Sequence, residues 1–418
     1  MVTTFYPPYH FGGDGTYVQR LVRALVARGH EVDVIHDRDA FHLAHPAEPA
    51  ASAPEPSGVR VFPMKSPFGR LSPLLTHQTG RPLLKPLVRE RLETGRYDVI
   101  HFHNASLIGA GAFTLGRATR LYTTHEYWLL CPLSLLWKFG AERCEAPACT
   151  RCTLHARRPP QWWRQTGFLH RQLRGIHRFI APTAYVRDRH RERGFDLPFE
   201  VLPSFVPGDG RTVDPALRSS SRGSPAAPAT PARAGRPGRP YFLFVGRLVR
   251  IKGLHTILDT VTRYGEADLL IAGGGDEEAA LRRQAAAMPN VHFLGVQSGA
   301  QLSGLYRDAI ALIMPSVCDE VFGLVLIEAM AQGTPVIARN LAGMAEVVRD
   351  SGGGLLFDDD ESLVAAMRRL QHDTRVRAQL ATAGQEAVAS RYSEAVHLDA
   401  YLDLIARVGD ERQRAERA

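Results

Sequence analysis

Twice along this chain, short apolar runs rich in β-branched and aromatic residues alternate with helix-period segments. Between the two series lies a stretch that can bury almost nothing. The first series opens with an apolar run over residues 2–6. A turn follows that carries Pro7, Pro8, Gly12, Gly13, Asp14 and Gly15. Next comes a helix whose apolar face is Val18, Leu21, Val22, Leu25 and Val26, with Gly29 placed as its stop. Residues 31–35 are the next strand, and further strands are expected at 99–102, 121–124, 179–181 and 199–202. The run at 2–6 is short for a central parallel strand, so the natural start is expected upstream. From 208 to 240 the chain is dominated by Ser, Pro, Ala, Arg and Gly and is expected to be a disordered linker or insert. The second series has strands at 241–245, 269–272, 291–294, 311–314 and 336–338. The pattern predicts an α/β chain of two doubly wound, Rossmann-like domains, 1–207 and 241–390, facing across a cleft. A final helix, 391–418, is expected to cross back to the first domain. In such sheets ligands bind beyond the C-terminal ends of the strands.

Composition narrows the function classes. The 418 residues are 44% hydrophobic and 22% charged, normal for a globular protein. No apolar run approaches the roughly 18 residues of a membrane span. No secretory leader is visible, so the expected compartment is the cytoplasm, with the inner membrane face as a peripheral site. The formal net charge of +8 suits acidic partners such as nucleotides or anionic lipid. No basic stripe on a nucleic-acid module is visible, so nucleic acid is not an expected partner.

The densest chemistry lies between Glu320 and Pro335. Leu324, Ile327 and Ala331 recur at helical spacing, and Gly333, Thr334 and Pro335 stop the helix. A helix start offers backbone N–H groups and partial positive charge to a phosphate or sugar oxygen. Glu320 precedes that start and Glu328 lies one turn inside it, so both carboxylates are expected to reach one ligand. Two solvated glutamates on an ordinary strand–loop–helix unit are the plainer reading of this segment alone. Arg247 and Lys252 follow the strand 241–245 and could neutralise a diphosphate without a metal. Gly273, Gly274 and Gly275 form a turn after the next strand, with Asp276 as a candidate helix cap. His125 follows the strand ending at Thr124. Asp37 with Asp39, and Asp358 to Asp360, are read as solvated loop acids, and no catalytic metal is expected.

These residues, taken in order, resemble the family 4 glycosyltransferases of GT-B fold. The resemblance rests on Gly12-Gly13, Asp98 to His101 with His103, Thr124-His125, Gly246-Arg247 with Lys252-Gly253, and Gly273 to Gly275. It continues through Pro315-Ser316, Glu320 to Glu328, and Gly343 with Glu346. It implies retaining transfer of a sugar from a nucleotide-diphosphate sugar to a hydroxyl acceptor, with UDP favoured over GDP. It also implies roles. Glu320 would hold the transferred sugar and Glu328 the ribose. Arg247, Lys252 and the N–H groups of Gly323 and Leu324 would take the diphosphate. Gly13 would pass near the phosphates, His125 would contact the donor sugar, and Val296 would help frame the base. The alternatives are a GT-B epimerase or hydrolase of nucleotide sugars, or a non-catalytic binder of them.

Four of the five cysteines, Cys131, Cys144, Cys149 and Cys152, fall in one loop, 129–161. Their spacing suits a structural zinc site; reduced thiols, disulfides or an iron–sulfur cluster are the other readings. A subset of family 4 looks similar after the His-Glu-Tyr-Trp segment. Cys318 is read as a small filler. Arg157, Arg158, Trp162, Trp163 and Arg164 begin a basic, aromatic stretch running to Arg178. It is read either as a surface docking on anionic membrane or as a helix packed on its own domain.

Overall fold

The computed structural model describes residues 1–50, 54–208, 238–297 and 299–417. Most of the expected linker, 209–237, lies outside the described residues. The chain divides into two compact units, Met1–Leu202 with Leu398–Ala418, and Pro203–His397.

In the first unit, α1 (Gly13–Ala27) buries the face of Val18, Leu21, Val22 and Leu25. It starts two residues before the end of the expected loop, at Gly13, after Gly12 with φ 149°. Next come β1 (Val32–Asp37), α2 (Arg38–Ala44), β2 (Val59–Met64), α3 (Leu71–Thr79) and α4 (Pro86–Thr94). The chain continues through β3 (Val99–Phe102) and β4 (Thr119–Thr123). A two-stranded antiparallel ribbon, β5 (Trp137–Lys138) and β6 (Glu142–Arg143), leads to α5 (Cys149–His155) and α6 (Phe168–Leu173). The unit's sheet is completed by β7 (Arg178–Ala181), α7 (Ala184–Glu192) and β8 (Phe199–Val201). Strands β3, β4, β7 and β8 pair in parallel in that order, and β1 pairs in parallel with β2. Val2 bridges Ile35 on one side and Phe102 on the other.

The expected strand over 2–6 holds over its first residues only: Thr3 N donates to Ile35 O at 3.0 Å, Asp37 N to Thr4 O at 3.1 Å and Val2 N to His101 O at 2.8 Å, so this segment runs between β1 and β3. Tyr6 turns back to pair with Tyr9 around Pro7 and Pro8, which have no N–H to give to a ladder. Strand β2 was not anticipated. It is an edge strand carrying Pro63, half exposed along its length, so neither alternation nor a clean apolar run announces it.

The second unit holds one six-stranded parallel sheet in the order β11-β10-β9-β12-β13-β14. Its elements are β9 (Tyr241–Val245), α8 (Leu258–Tyr264), β10 (Asp268–Ala272), α9 (Glu278–Gln284), β11 (Val291–Gly295), α10 (Gly299–Asp308) and β12 (Leu312–Met314). They continue with α11 (Leu324–Ala331), β13 (Val336–Arg339), α12 (Ala342–Ser351), β14 (Gly354–Phe357), α13 (Asp360–His372) and α14 (Thr374–Ala387). The strands alternate between two buried clusters. Leu243, Val245, Leu270 and Ala272 face one, and Phe242, Phe244, Leu269 and Ile271 face the other. Both faces are thus covered by helices, and the C-terminal strand ends remain for ligands. The last helix, α15 (Glu394–Arg417), has its first residues in the second unit and the rest in the first.

The acids read as solvated are mostly structural. Asp37 accepts from Asp39 N at 3.0 Å and Ala40 N at 3.2 Å, which caps α2. It also takes Lys85 Nζ at 2.5 Å with both side chains almost fully buried. Asp39 accepts from Ser66 N at 2.6 Å. Asp359 caps α13 in a capping box with Ser362. Asp276 does not cap α9, whose N-terminal flank is Glu277 in helical conformation. Removing one partner of a buried pair leaves an uncompensated charge. Lys85→Met is therefore expected to lower unfolding stability by about 3–5 kcal/mol. Denaturant unfolding of full-length protein checks this.

Candidate active site

The second unit's strand ends are stitched together by backbone contacts that need glycine. After β9, Gly246 N donates to Ala272 O at 3.1 Å, and Leu248 N donates to Gly274 O at 2.9 Å. A Cβ on Gly273 would lie 1.9 Å from Gly246 O, so the two turns can touch only because Gly273 has none. The chain then tightens into a single helical turn, Arg250–Lys252, closed by Gly253 at φ 70°. A Cβ there would lie 2.0 Å from Pro315 O. Val317 N donates to Ile251 O at 2.9 Å, tying this turn to the loop after β12.

That close approach brings Lys252 to Glu320. Lys252 Nζ donates to Glu320 Oε1 at 2.6 Å, and Ser316 Oγ donates to the same oxygen at 2.9 Å. The two side chains are only 25% and 14% exposed. Burial alone would raise the Glu320 pKa, but Lys252, Ser316 and Arg247 outweigh it and hold the carboxyl below its ordinary value. Glu320 is therefore an anion at neutral pH. Its backbone is fixed too: Gly343 N donates to Glu320 O at 3.0 Å. Cys318 is buried beside it, with Sγ 3.9 Å from Glu320 Oε1, and burial raises its thiol pKa strongly.

Three residues on, Gly323 at φ 92° turns the chain into α11, whose start no side chain caps. Leu326 N donates to Gly323 O at 2.9 Å, so the N–H groups this end can offer an anion are those of Gly323 and Leu324. Glu328 lies on the same helix but is 2% exposed. Tyr306 of α10 donates its hydroxyl to Glu328 Oε2 at 3.3 Å. No local spacing in the sequence announces Tyr306, since it sits on a neighbouring helix. Val296 follows β11 and is half-buried.

In the first unit Gly13 is exposed at the start of α1. His125 follows β4, half-buried, with its ring 4.7 Å from that of Tyr17. Asp14 accepts from Gly15 N at 2.8 Å and from Asn104 Nδ2 at 2.9 Å, so α1 is latched to the loop after β3. Neither residue stood out in the sequence. Burial lowers the His125 pKa to about 4, against the opposing pull of Asp14. Glu126, next to it, is raised to about 8 by burial and by Asp14.

Residues 11–208 match the model of Glycosyltransferase Family 4, and residues 230–387 match that of Glycosyl transferases group 1. D-inositol 3-phosphate glycosyltransferase of Arthrobacter sp. (strain FB24) is 30% identical over 369 residues, spanning 83% of this chain and 78% of that protein. This chain belongs to glycosyltransferase family 4. It is a retaining-family transferase that moves sugar from a nucleotide sugar. Its fold is GT-B. Sucrose-phosphate synthase from Thermosynechococcus elongatus matches with a TM-score of 0.69 at 22% identity over 97% of this chain and 98% of that one. Anabaena HepE, solved with UDP-glucose, matches with a TM-score of 0.62 at 17% identity over 97% and 99%.

The transferase's cysteine loop, 129–161, and the basic, aromatic stretch after it are both resolved into contacts. Cys131, Cys144, Cys149 and Cys152 line one small cavity with Trp137 and Ala148. Among the described residues, however, no group of three or more His, Cys, Asp or Glu side chains is placed to hold a metal ion, so the zinc reading gains no support here. All four are free thiols, and burial raises the Cys144 and Cys149 pKa values. Protein groups hold this part of the chain. Phe139 N donates to Cys152 Sγ at 3.4 Å, Arg193 and Arg189 donate to Cys144 O, and Arg164 donates to Trp128 O at 2.7 Å. The pair Trp162–Trp163 is also divided. Trp162 is 57% exposed, while Trp163 is buried and donates Nε1–H to His77 O at 2.9 Å. Arg164 stacks between Trp128 and Trp163 rather than facing solvent. Among the described residues, no helix is long and apolar enough to cross a membrane.

The His125 environment gives a titration test. A folded pKa near 4, against about 6.5 unfolded, means the unfolded chain binds the extra proton first. His125 therefore takes stability away as pH falls from about 6.5 toward 4, and none above that window. Its ring resonances in NMR are expected to stay fixed from pH 8 down to about 5.5.

Proposed function

We propose that the second unit binds a uridine diphosphate sugar without a catalytic metal and that the transferase delivers the sugar to a hydroxyl acceptor. The observation that carries this reading is the Lys252–Glu320 contact beside the uncapped start of α11. A metal-free diphosphate site needs cations and N–H donors at one place. Lys252, Arg247 and the first-turn N–H groups of Gly323 and Leu324 provide them.

In this reading each carboxylate has its own task. Glu320, held by Lys252 and Ser316, accepts hydrogen bonds from hydroxyls of the sugar being moved. Glu328, held by Tyr306, accepts from the ribose. Val296 lies against the base, Gly13 passes near the phosphates, and His125 contacts the transferred sugar. The bond from the anomeric carbon to the leaving phosphate oxygen breaks, and the acceptor oxygen bonds that carbon on the same face. The acceptor's proton passes to the departing phosphate oxygen. Lys252, Arg247 and the helix start stabilise the charge that gathers on the diphosphate, which is preorganised electrostatic stabilisation. UDP-glucose in the HepE structure supports a uridine donor by analogy of fold.

A panel of nucleotide sugars, with product detection in the presence and absence of candidate acceptors, tests the reading. Acceptor-dependent release of UDP from one donor is expected; equal release without any acceptor would identify a hydrolase or epimerase instead. Lys252→Ala is expected to cut turnover about a hundredfold or more. Glu320→Ala should act mainly on kcat, and Glu328→Ala mainly on donor KM and nucleotide affinity. Matching kcat and KM changes in the two variants would show that their roles are divided wrongly.

A further inference from the structure

Behind His125 the first unit stacks two more histidines. His103 Nδ1 is 3.0 Å from His125 Nε2, and the two rings are 21° from parallel. His101 lies under His103 at 3.9 Å between ring centroids. Its own nitrogens are bound by Tyr401 OH at 2.8 Å and Thr123 Oγ1 at 2.7 Å. The inner two rings are almost fully buried, so the stack is a rigid support and not a solvated cluster. His103 is kept uncharged by burial and by the neighbouring histidines. Two uncharged imidazoles in contact share one proton between the facing nitrogens, and the question is which nitrogen carries it.

The other side of His103 answers it. His103 Nε2 is 3.4 Å from Met1 Sδ, a thioether that can only accept. The His103 proton therefore sits on Nε2, and Nδ1 is left as an acceptor. Its partner across the stack must donate, so His125 carries its proton on Nε2. We infer that His103 is a positioning residue that fixes His125 in the Nε2–H tautomer and presents its Nδ1 as a bare acceptor for a hydroxyl of the sugar being moved. This rests on the assignment of His125 to the transferred sugar. His103 itself touches no substrate; it acts only through the orientation and tautomer of His125.

Two polar replacements separate this role from plain packing. In His103→Asn the side-chain amide occupies the place of Nδ1 and can still accept from His125. In His103→Gln the amide falls near the place of Nε2, on the Met1 side, and the bond to His125 is lost. Steady-state kinetics of full-length protein, with the best donor and acceptor, is the readout, with His125→Ala measured alongside. His103→Gln is expected to lower kcat on the order of tenfold or more with donor KM within about twofold, because a misplaced contact group costs rate before binding. His103→Asn is expected to stay within about threefold of the parent. Equal loss in the Asn and Gln variants, or no loss in Gln, overturns the positioning role. Full turnover in His125→Ala overturns it together with the His125 assignment, while the Lys252→Ala measurement still judges the donor site separately.

Discussion

A lysine ammonium 2.6 Å from a carboxylate, with both side chains mostly out of water, is the contact around which the second unit is organised. Burying either charge alone would be costly, and Ser316 and Arg247 add to the compensation at Glu320. The geometry depends on glycines. Gly253 lets the Lys252 turn lie against Pro315 O, and Gly343 lets α12 begin against Val321 O. A side chain at either place would push apart the turn that carries the cation and the loop that carries the anion. The parallel sheet then does the rest: it ends β9 and β12, neighbours in the sheet, where these two loops leave it.

The first unit uses different physics to fix His125. There the support is a buried stack of imidazoles reaching from Tyr401 and Thr123 to His125, with Asp14 and Asn104 latched alongside. In one unit a charge pair is held mostly out of water. In the other, burial disfavours charge on His103 and His125.

Much of this was legible in the sequence where a local rule applied. Central strands such as β9, β10 and β13 are continuous apolar runs, and α11 is announced by its spacing and its Gly-Thr-Pro stop. The family resemblance singled out Lys252 and Glu320, and the structure sets them 2.6 Å apart. Sequence reading failed where the cause was non-local or at an edge. Edge strand β2 carries Pro63 and no alternation, and β14 begins in a run of glycines that looks like a turn. Asp37 looked solvated because Lys85, its partner, is 48 residues away. Tyr306 could not be connected to Glu328, nor Asn104 to Asp14, without the packing that joins them. Nor could the cysteine spacing foretell the hydrogen bonds that Arg164 gives Leu129 O and that Arg189 and Arg193 give Cys144 O.

The central claim is that Lys252 and Glu320 work as one preassembled unit. A double-mutant cycle in donor turnover tests it most directly, using Lys252→Ala, Glu320→Ala and the double variant, each assayed with chelator present. The account predicts that the double variant loses far less than the product of the two single losses, because either change alone already dismantles the pair. Single losses that simply multiply would show two independent residues and contradict it.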